Sequence, residues 1–176
     1  MPEVDQAAVC AQLAGWKLPR WDELPDLELY MDQVLSLMER YLSAYPGYDR
    51  KGLTASMVNN YVKSGVMPPP VRKRYARAHL AHLIMICTLK ASFPIELIKN
   101  LILASVGERD DRAGYDWFCD EFEASLARAS EDVSHDAGLA AICRTALRAQ
   151  AEQALALRLY GAAFPEEQND KKDKKK

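Results

Sequence analysis

Between Arg50 and Ile95 the chain has no aspartate or glutamate, although its 176 residues include 25 acids and 23 lysines and arginines. Arg50, Lys51, Lys63, Arg72, Lys73, Arg74, Arg77 and Lys90 give that stretch eight positive charges, which leaves 15 basic against 25 acidic residues elsewhere. A net charge of −2 therefore hides a segment of +8 beside a remainder of −10. Such an asymmetry points to an anionic partner. Also missing is any apolar run near the roughly 20 residues that a membrane span requires. The longest run, Leu80 to Leu89, is interrupted by His82 and Thr88 and has the length of a core helix. The amino terminus carries Pro2, Glu3 and Asp5 where a secretory signal would place basic and then apolar residues. A cytoplasmic protein without membrane contact is the expectation.

Close cysteine pairs are absent too. Cys10, Cys87, Cys119 and Cys143 stand apart, so they read as small buried hydrophobes rather than disulfides or metal ligands. His79 and His82 share a helical face, but no Asp, Glu or third His accompanies them, and no metal is expected. His135 has no recognisable partner. The chain lacks a Gly-rich phosphate loop, H-E-x-x-H, G-x-S-x-G and any carboxylate cluster beside a histidine, which argues against an enzyme and against a cofactor. Glu108, Asp110 and Asp111 alternate with Arg109 and Arg112, as in a charge-balanced surface turn. Tyr115, Trp117, Phe118 and Phe122 read first as core, with the wall of an effector pocket as the other reading.

What is present is helical periodicity throughout, so the fold class is all-α. Residues 4–14 form an amphipathic helix through Val4, Ala8, Cys10, Ala11 and Leu13, ending at Gly15. The segment WKLPRWDELPDL follows, with Trp16 and Trp21 covering core surface. A helix then runs from Leu27 to about Tyr45, with Leu29, Tyr30, Val34, Leu37, Met38, Tyr41 and Leu42 inward. Thr54 caps a short helix to Lys63, closed by Ser64 and Gly65. Three prolines, Pro68 to Pro70, enforce an extended, stiff turn. Helix resumes near Ala76 as the central buried element. After SFP another helix, with Pro94 in its first turn, commits Ile95, Leu97, Ile98, Leu101 and Ile102 to the core. Two more helices span roughly Tyr115 to Ala129 and Asp136 to Ala163, the second with Leu139, Ile142, Ala146, Leu147, Ala154 and Leu157 as its apolar stripe. The final EEQNDKKDKKK has no apolar residue and reads as a disordered tail.

The order helix, short helix, basic turn, buried helix suits a DNA-reading module, in which a short helix enters the major groove and nearby loops hold phosphates. Candidate contacts are Thr54, Ser56, Asn59, Asn60, Tyr61 and Lys63 on the short helix, and Arg72, Lys73, Arg74, Tyr75 and Arg77 on and after the turn. Asparagine can donate and accept at once on the adenine N6/N7 edge. Arginine and lysine on a proline-stiffened loop lose less entropy on meeting a phosphate backbone.

The stretch VNNYVKSGVMPPPVRKRYARAHLAHLIMICTLKASFPIELIKNLI resembles the MerR-type winged helix-turn-helix. Tyr61, Lys63, Gly65, Val66, Met67 and Pro68 match the end of that family's recognition helix, and Arg74 with Tyr75 match the end of its wing. A closer similarity, taking in PRWDELPDLELYMDQVLSLMERYL, is to an uncharacterised bacterial family that carries such a domain; it covers about residues 18–103. Asn59 stands where MerR proteins usually carry arginine, so their base preference does not transfer. The resemblance implies a transcriptional regulator of double-stranded DNA with an unknown effector, and a homodimer through the carboxy-terminal helices. The organisation it suggests is 1–52 as amino-terminal helices with the Trp/Pro-rich segment, 53–106 as the helix-turn-helix core with a short wing, 107–164 as a helical region ending in a long helix, and 165–176 as the tail. The alternative is a helical protein–protein interaction module that keeps the fold without binding DNA.

Overall fold

The computed structural model describes residues 5–45, 48, 51–107, 110–133 and 138–165. Val4, Arg50, Glu108, Arg109, His135, Asp136 and residues 166–176 of the tail lie outside them. Seven α-helices and one 3₁₀ turn make an all-α fold, with no strand among the described residues and only two isolated β-bridges. Contacts divide the chain into two compact units, residues 1–138 and 139–176.

In the first unit, α1 (Gln6–Ala14) starts where the Asp5 carboxylate accepts from Ala8 N at 3.0 Å. It packs against α6 (Asp111–Val133), with Gln6 Nε2 donating to Val133 O at 2.9 Å, and its half-buried residues are Gln6, Cys10, Leu13 and Ala14. Ala8 and Ala11, expected on the inner face, are exposed. α6 begins four residues before the expected Tyr115, because Asp110 accepts from Ala113 N at 2.7 Å and so caps it. It packs on α1 and α5 and thus belongs with the first unit.

The Trp- and Pro-rich segment is tied to α6 rather than left as a loose loop. Tyr115 Oη donates to Pro19 O at 2.7 Å, and Trp21 N donates to the Asp116 carboxylate at 3.0 Å. Glu123, buried on α6, accepts from Lys17 Nζ at 2.8 Å, Leu18 N at 3.2 Å and Arg20 Nη2 at 2.9 Å. Burial alone would pull the Arg20 pKa down, but the Glu123 and Asp120 carboxylates outweigh it and hold the pKa above its ordinary value. Replacing Glu123 by alanine would orphan the buried Leu18 N–H and remove the carboxylate partner of Lys17, while Arg20 would keep its ion pair with Asp120 at 2.8 Å. With Lys17 and Arg20 side chains 64% and 36% exposed, water offsets part of that loss, and the expected destabilisation is about 2 to 4 kcal/mol. Lys17→Ala should cost less than about 1 kcal/mol. Urea denaturation of both variants checks the ranking.

α2 (Met31–Leu42) buries Val34, Leu37, Met38 and Leu42. Its start at Met31 corrects the expected Leu27. Leu29 N donates to Tyr75 O and Tyr75 N to Leu29 O, both at 2.9 Å. That bridge, with Tyr30 extended after it, is incompatible with a helical turn at Leu29. α4 (Arg77–Leu89) is the central helix, burying nine of its 13 residues and touching α2, α5 and α6. α5 (Ile95–Gly107) buries Leu97, Ile98 and Ile102, whereas Leu101, expected inward, is 46% exposed. Among the cysteines, Cys87 and Cys119 are buried, and burial raises their pKa to about 11 and about 12. Cys143 is exposed, against expectation.

The second unit holds all but the first residue of α7 (Gly138–Ala163), a long alanine-rich helix. Every residue of its expected stripe, Leu139, Ile142, Ala146, Leu147, Ala154 and Leu157, is exposed. Periodicity marks an apolar face there, whereas the residue of α7 that is buried is Ala141, outside the expected stripe. No helix among the described residues is long and apolar enough to cross a membrane.

Candidate nucleic-acid interface

α3 (Ala55–Lys63) is set by local chemistry at both ends. Thr54 Oγ1 accepts from Met57 N at 3.3 Å. At the other end Gly65 takes a φ of 69°, where a side chain would be strained, and Val66 N and Met67 N both donate back to Tyr61 O. Val58 and Tyr61 are buried. Ser56, Asn59, Asn60 and Lys63, spaced i, i+3, i+4 and i+7, fall within an arc of roughly 100° on the opposite face, and all four are exposed, as is Thr54.

Prolines 68–70 lead into a two-residue hairpin. Val71 N donates to Arg74 O at 3.1 Å and Arg74 N to Val71 O at 2.9 Å. Arg72 and Lys73 between them have φ of 51° and 63°, the signature of a type I′ turn, which prefers Asn-Gly. Two long cationic residues in left-handed conformation cost roughly 1 to 2 kcal/mol each. Strain of this kind persists where surrounding structure over-determines it and is concentrated at functional sites. Replacing the pair by Asn-Gly should raise stability by about 1 kcal/mol or more, which thermal or urea unfolding would register.

The hairpin is anchored on three sides. Tyr75, at its end, pairs with Leu29 through the backbone. Arg74 donates to Tyr30 Oη at 2.8 Å and stacks with its guanidinium carbon 4.5 Å from the Tyr30 ring centroid. His79 Nδ1 accepts from Ala76 N at 3.0 Å, which places the ring proton on Nε2, 3.3 Å from Pro69 O. His79 thus fastens the proline turn to the start of α4. The sequence pattern offered it only as half of a weak metal pair, and no metal-holding group of His, Cys, Asp or Glu occurs among the described residues.

Three of the expected contacts are not free surface. Tyr61 and Tyr75 are core residues, and burial raises the Tyr61 pKa to about 12. Arg77, with a side chain 20% exposed, pairs with Asp22 at 3.8 Å and Asp26 at 3.3 Å and lies over the Trp21 ring. Its charge is committed inside the molecule. Lys63, Arg72, Lys73 and Arg74, by contrast, are exposed and make no ion pair with a described residue. Tyr30 is a site residue that periodicity missed. Periodicity places it on the inner face of α2, and its partner lies 44 residues away.

Tyr115 is buried, and Phe118 and Phe122 are half-buried and packed on the core, as their core reading expected. Trp117 remains 43% exposed beside Met85, Leu89, Leu101 and Ile102.

No curated protein and no solved structure matches the sequence. Residues 19–118, more than half of the chain and the part that holds α2 to α5, the hairpin and the segment binding Arg77, match the model of one family. That family is described as a domain of unknown function, DUF1836, and the chain belongs to it.

Proposed function

We propose that this protein is a sequence-specific double-stranded DNA-binding protein, a transcriptional regulator whose DUF1836 segment acts as a MerR-like winged helix-turn-helix. The reading rests above all on one observation: Arg72 and Lys73 are held exposed, with no ion pair to a described residue, at the tip of a strained, anchored hairpin. In this reading α2 is the supporting helix, α3 is the recognition helix and the hairpin is the wing. Asn59 and Asn60 face the bases, while Thr54, Ser56 and Lys63 meet the flanking phosphates. Arg74, stacked on Tyr30, presents its remaining donors beside Arg72 and Lys73. Tyr61, Tyr75 and Arg77 support this surface from below and do not touch DNA.

A homodimer completes the proposal. A single nine-residue helix offers little contact area, and a symmetric pair doubles both area and charge. The exposed apolar side chains of α7 supply a surface suited to that pairing. The same side chains, with exposed Leu101 and Trp117, also favour a second reading, in which the protein is a helical protein–protein interaction module.

Selection from a randomised duplex library at two salt concentrations separates the two. A DNA regulator enriches one motif, more sharply at the higher salt, where phosphate-only binding is weakened. Enrichment of nothing at either concentration leaves the interaction module. Asn59→Ala with Asn60→Ala should change the selected motif more than the affinity for unrelated duplex, and repeating the selection with that variant checks it.

A further inference from the structure

We propose that α7 pairs with α7 of a second copy as an antiparallel coiled coil, in the register that sets Gln150 against the partner's Gln153. This pairing deepens the proposed homodimer and rests on it, but not on DNA binding.

From Leu139 to Phe164, residues 139, 143, 146, 150, 153, 157, 160 and 164 follow one another in steps of four and three, the spacing that keeps one seam facing a neighbouring helix. Phe164 extends the helix, its N–H donating to Tyr160 O at 2.8 Å. The seam and the two rows flanking it make sixteen positions, four in each of four rows, and none of them is charged. Arg144, Arg148, Glu152 and Arg158, the charged residues of α7, all lie outside, as the core of an interface requires. Ala141, the residue of α7 that is buried, lies on the face opposite the seam. The seam side is open to a partner, with Leu139, Ile142, Leu147 and Phe164 each about half exposed or more.

Direction follows from size. A parallel pair in register would set Ala146 on the partner's Ala146 and Tyr160 on the partner's Tyr160, a gap in one layer and a crowded layer elsewhere. Reversing one helix about the midpoint between Gln150 and Gln153 sets Cys143 against the partner's Tyr160 and Ala146 against the partner's Leu157, a small residue against a large one each time. Leu139 then meets the partner's Phe164 at the ends. The flanking rows match as well, with Leu147 beside the partner's Ala154 and Ile142 beside the partner's Ala163. Such complementarity is what close packing demands. At the centre, Gln150 and the partner's Gln153 can each donate and accept through the amide, and that pairing is lost when one helix slips by a turn. A polar residue inside an apolar seam fixes register in this way, at some cost in stability. Pairing over about 39 Å of helix engages both sets of sixteen positions, which need lose only about 40 Å² each to reach the roughly 1,200 Å² of a stable interface.

The test uses the full chain without DNA. Sedimentation equilibrium should give a dimer at micromolar concentration. Leu157→Lys, which sets an ammonium against the partner's Ala146, should raise the dissociation constant at least about a hundredfold; Leu157 is exposed, so residues 1–138 should stay folded in that variant. Orientation is read from disulfides. Cys143 is exposed and, in the proposed register, lies as far from the partner's Cys143 as position 143 lies from 160 along one helix. That is about 25 Å, far beyond the roughly 7 Å that a disulfide spans between Cα atoms. Diamide should therefore leave position 143 of the parent unlinked, whereas Tyr160→Cys should give a dimer joined from 143 of one copy to 160 of the other, located by mass spectrometry of its peptides. The same separation prevents that bond within one chain. A parent that stays monomeric up to millimolar concentration overturns the pairing together with the homodimer, and leaves the DNA reading to its own salt slope. A dimeric parent linked 143 to 143, or a dimeric Tyr160→Cys variant without the 143–160 bond, overturns the antiparallel register. A dimer that Leu157→Lys leaves intact overturns the use of α7.

Discussion

Alanine at Arg72, Lys73 and Arg74 together should weaken duplex DNA binding by roughly 100- to 1,000-fold per protomer near 0.1 M salt. The size follows from counterion release. Each phosphate neutralised contributes about 0.9 to the slope of log affinity against log salt, so three lost contacts remove about 2.7 from it. Extrapolated from 1 M salt, where that contribution vanishes, the loss at 0.1 M is between two and three orders of magnitude. Stability should move little by comparison. The three side chains are exposed, and their specific side-chain contacts among the described residues are both between Arg74 and Tyr30, a stack and an exposed hydrogen bond, together worth about 1 to 2 kcal/mol. Fluorescence anisotropy for binding and calorimetry for melting separate the two effects. An unchanged affinity with an intact fold would remove the hairpin from the DNA surface.

Leu83→Ala should be the most damaging single core change, at about 2 to 5 kcal/mol. Leu83 is wholly buried in the middle of α4, the helix that meets α2, α5 and α6. Truncation there removes packing on several neighbours at once, and a surround made of whole helices relaxes poorly into the cavity. Against a total stability of about 5 to 15 kcal/mol, the loss corresponds to a fall in melting temperature of roughly 5 to 15 °C. Urea denaturation measures it directly, and an unmoved midpoint would mean that α4 does not organise the core. Since α4 also carries His79, which fastens the proline turn, the variant should lose DNA affinity only as far as it unfolds.

Features decided within a few residues were readable in advance. Thr54 and Gly65 bracket α3 because a side-chain cap and a left-handed glycine act on their own helix ends. The buried face of α4 and the all-α class follow from periodicity alone. Long-range pairing was not readable. The start of α2 was misplaced because Leu29 spends its backbone groups on Tyr75. Arg77 was counted with the free cations because Asp22 and Asp26, some 50 residues earlier in the chain, gave no local sign of reaching it. Tyr61 and Tyr75 matched positions of a motif, but a motif does not distinguish a residue that touches a ligand from one that supports it. For α7 the apolar pattern was visible, yet amphipathicity specifies a face without specifying what covers it. The charge asymmetry of residues 50–95 survives in reduced form. Among the described residues, part of it is internal, in Arg77 and in the shielded Lys90, and the exposed cations are Lys51, Lys63 and the three of the hairpin.

That reduced count fixes what the protein should do in salt. With Lys63, Arg72, Lys73 and Arg74 each meeting a phosphate, duplex affinity of a dimer measured between about 50 and 300 mM salt should fall with a log-log slope near −7, and near −3.5 if one protomer binds alone. A slope shallower than about −1, or no measurable duplex binding at the lowest salt, would contradict the assignment of this surface to DNA.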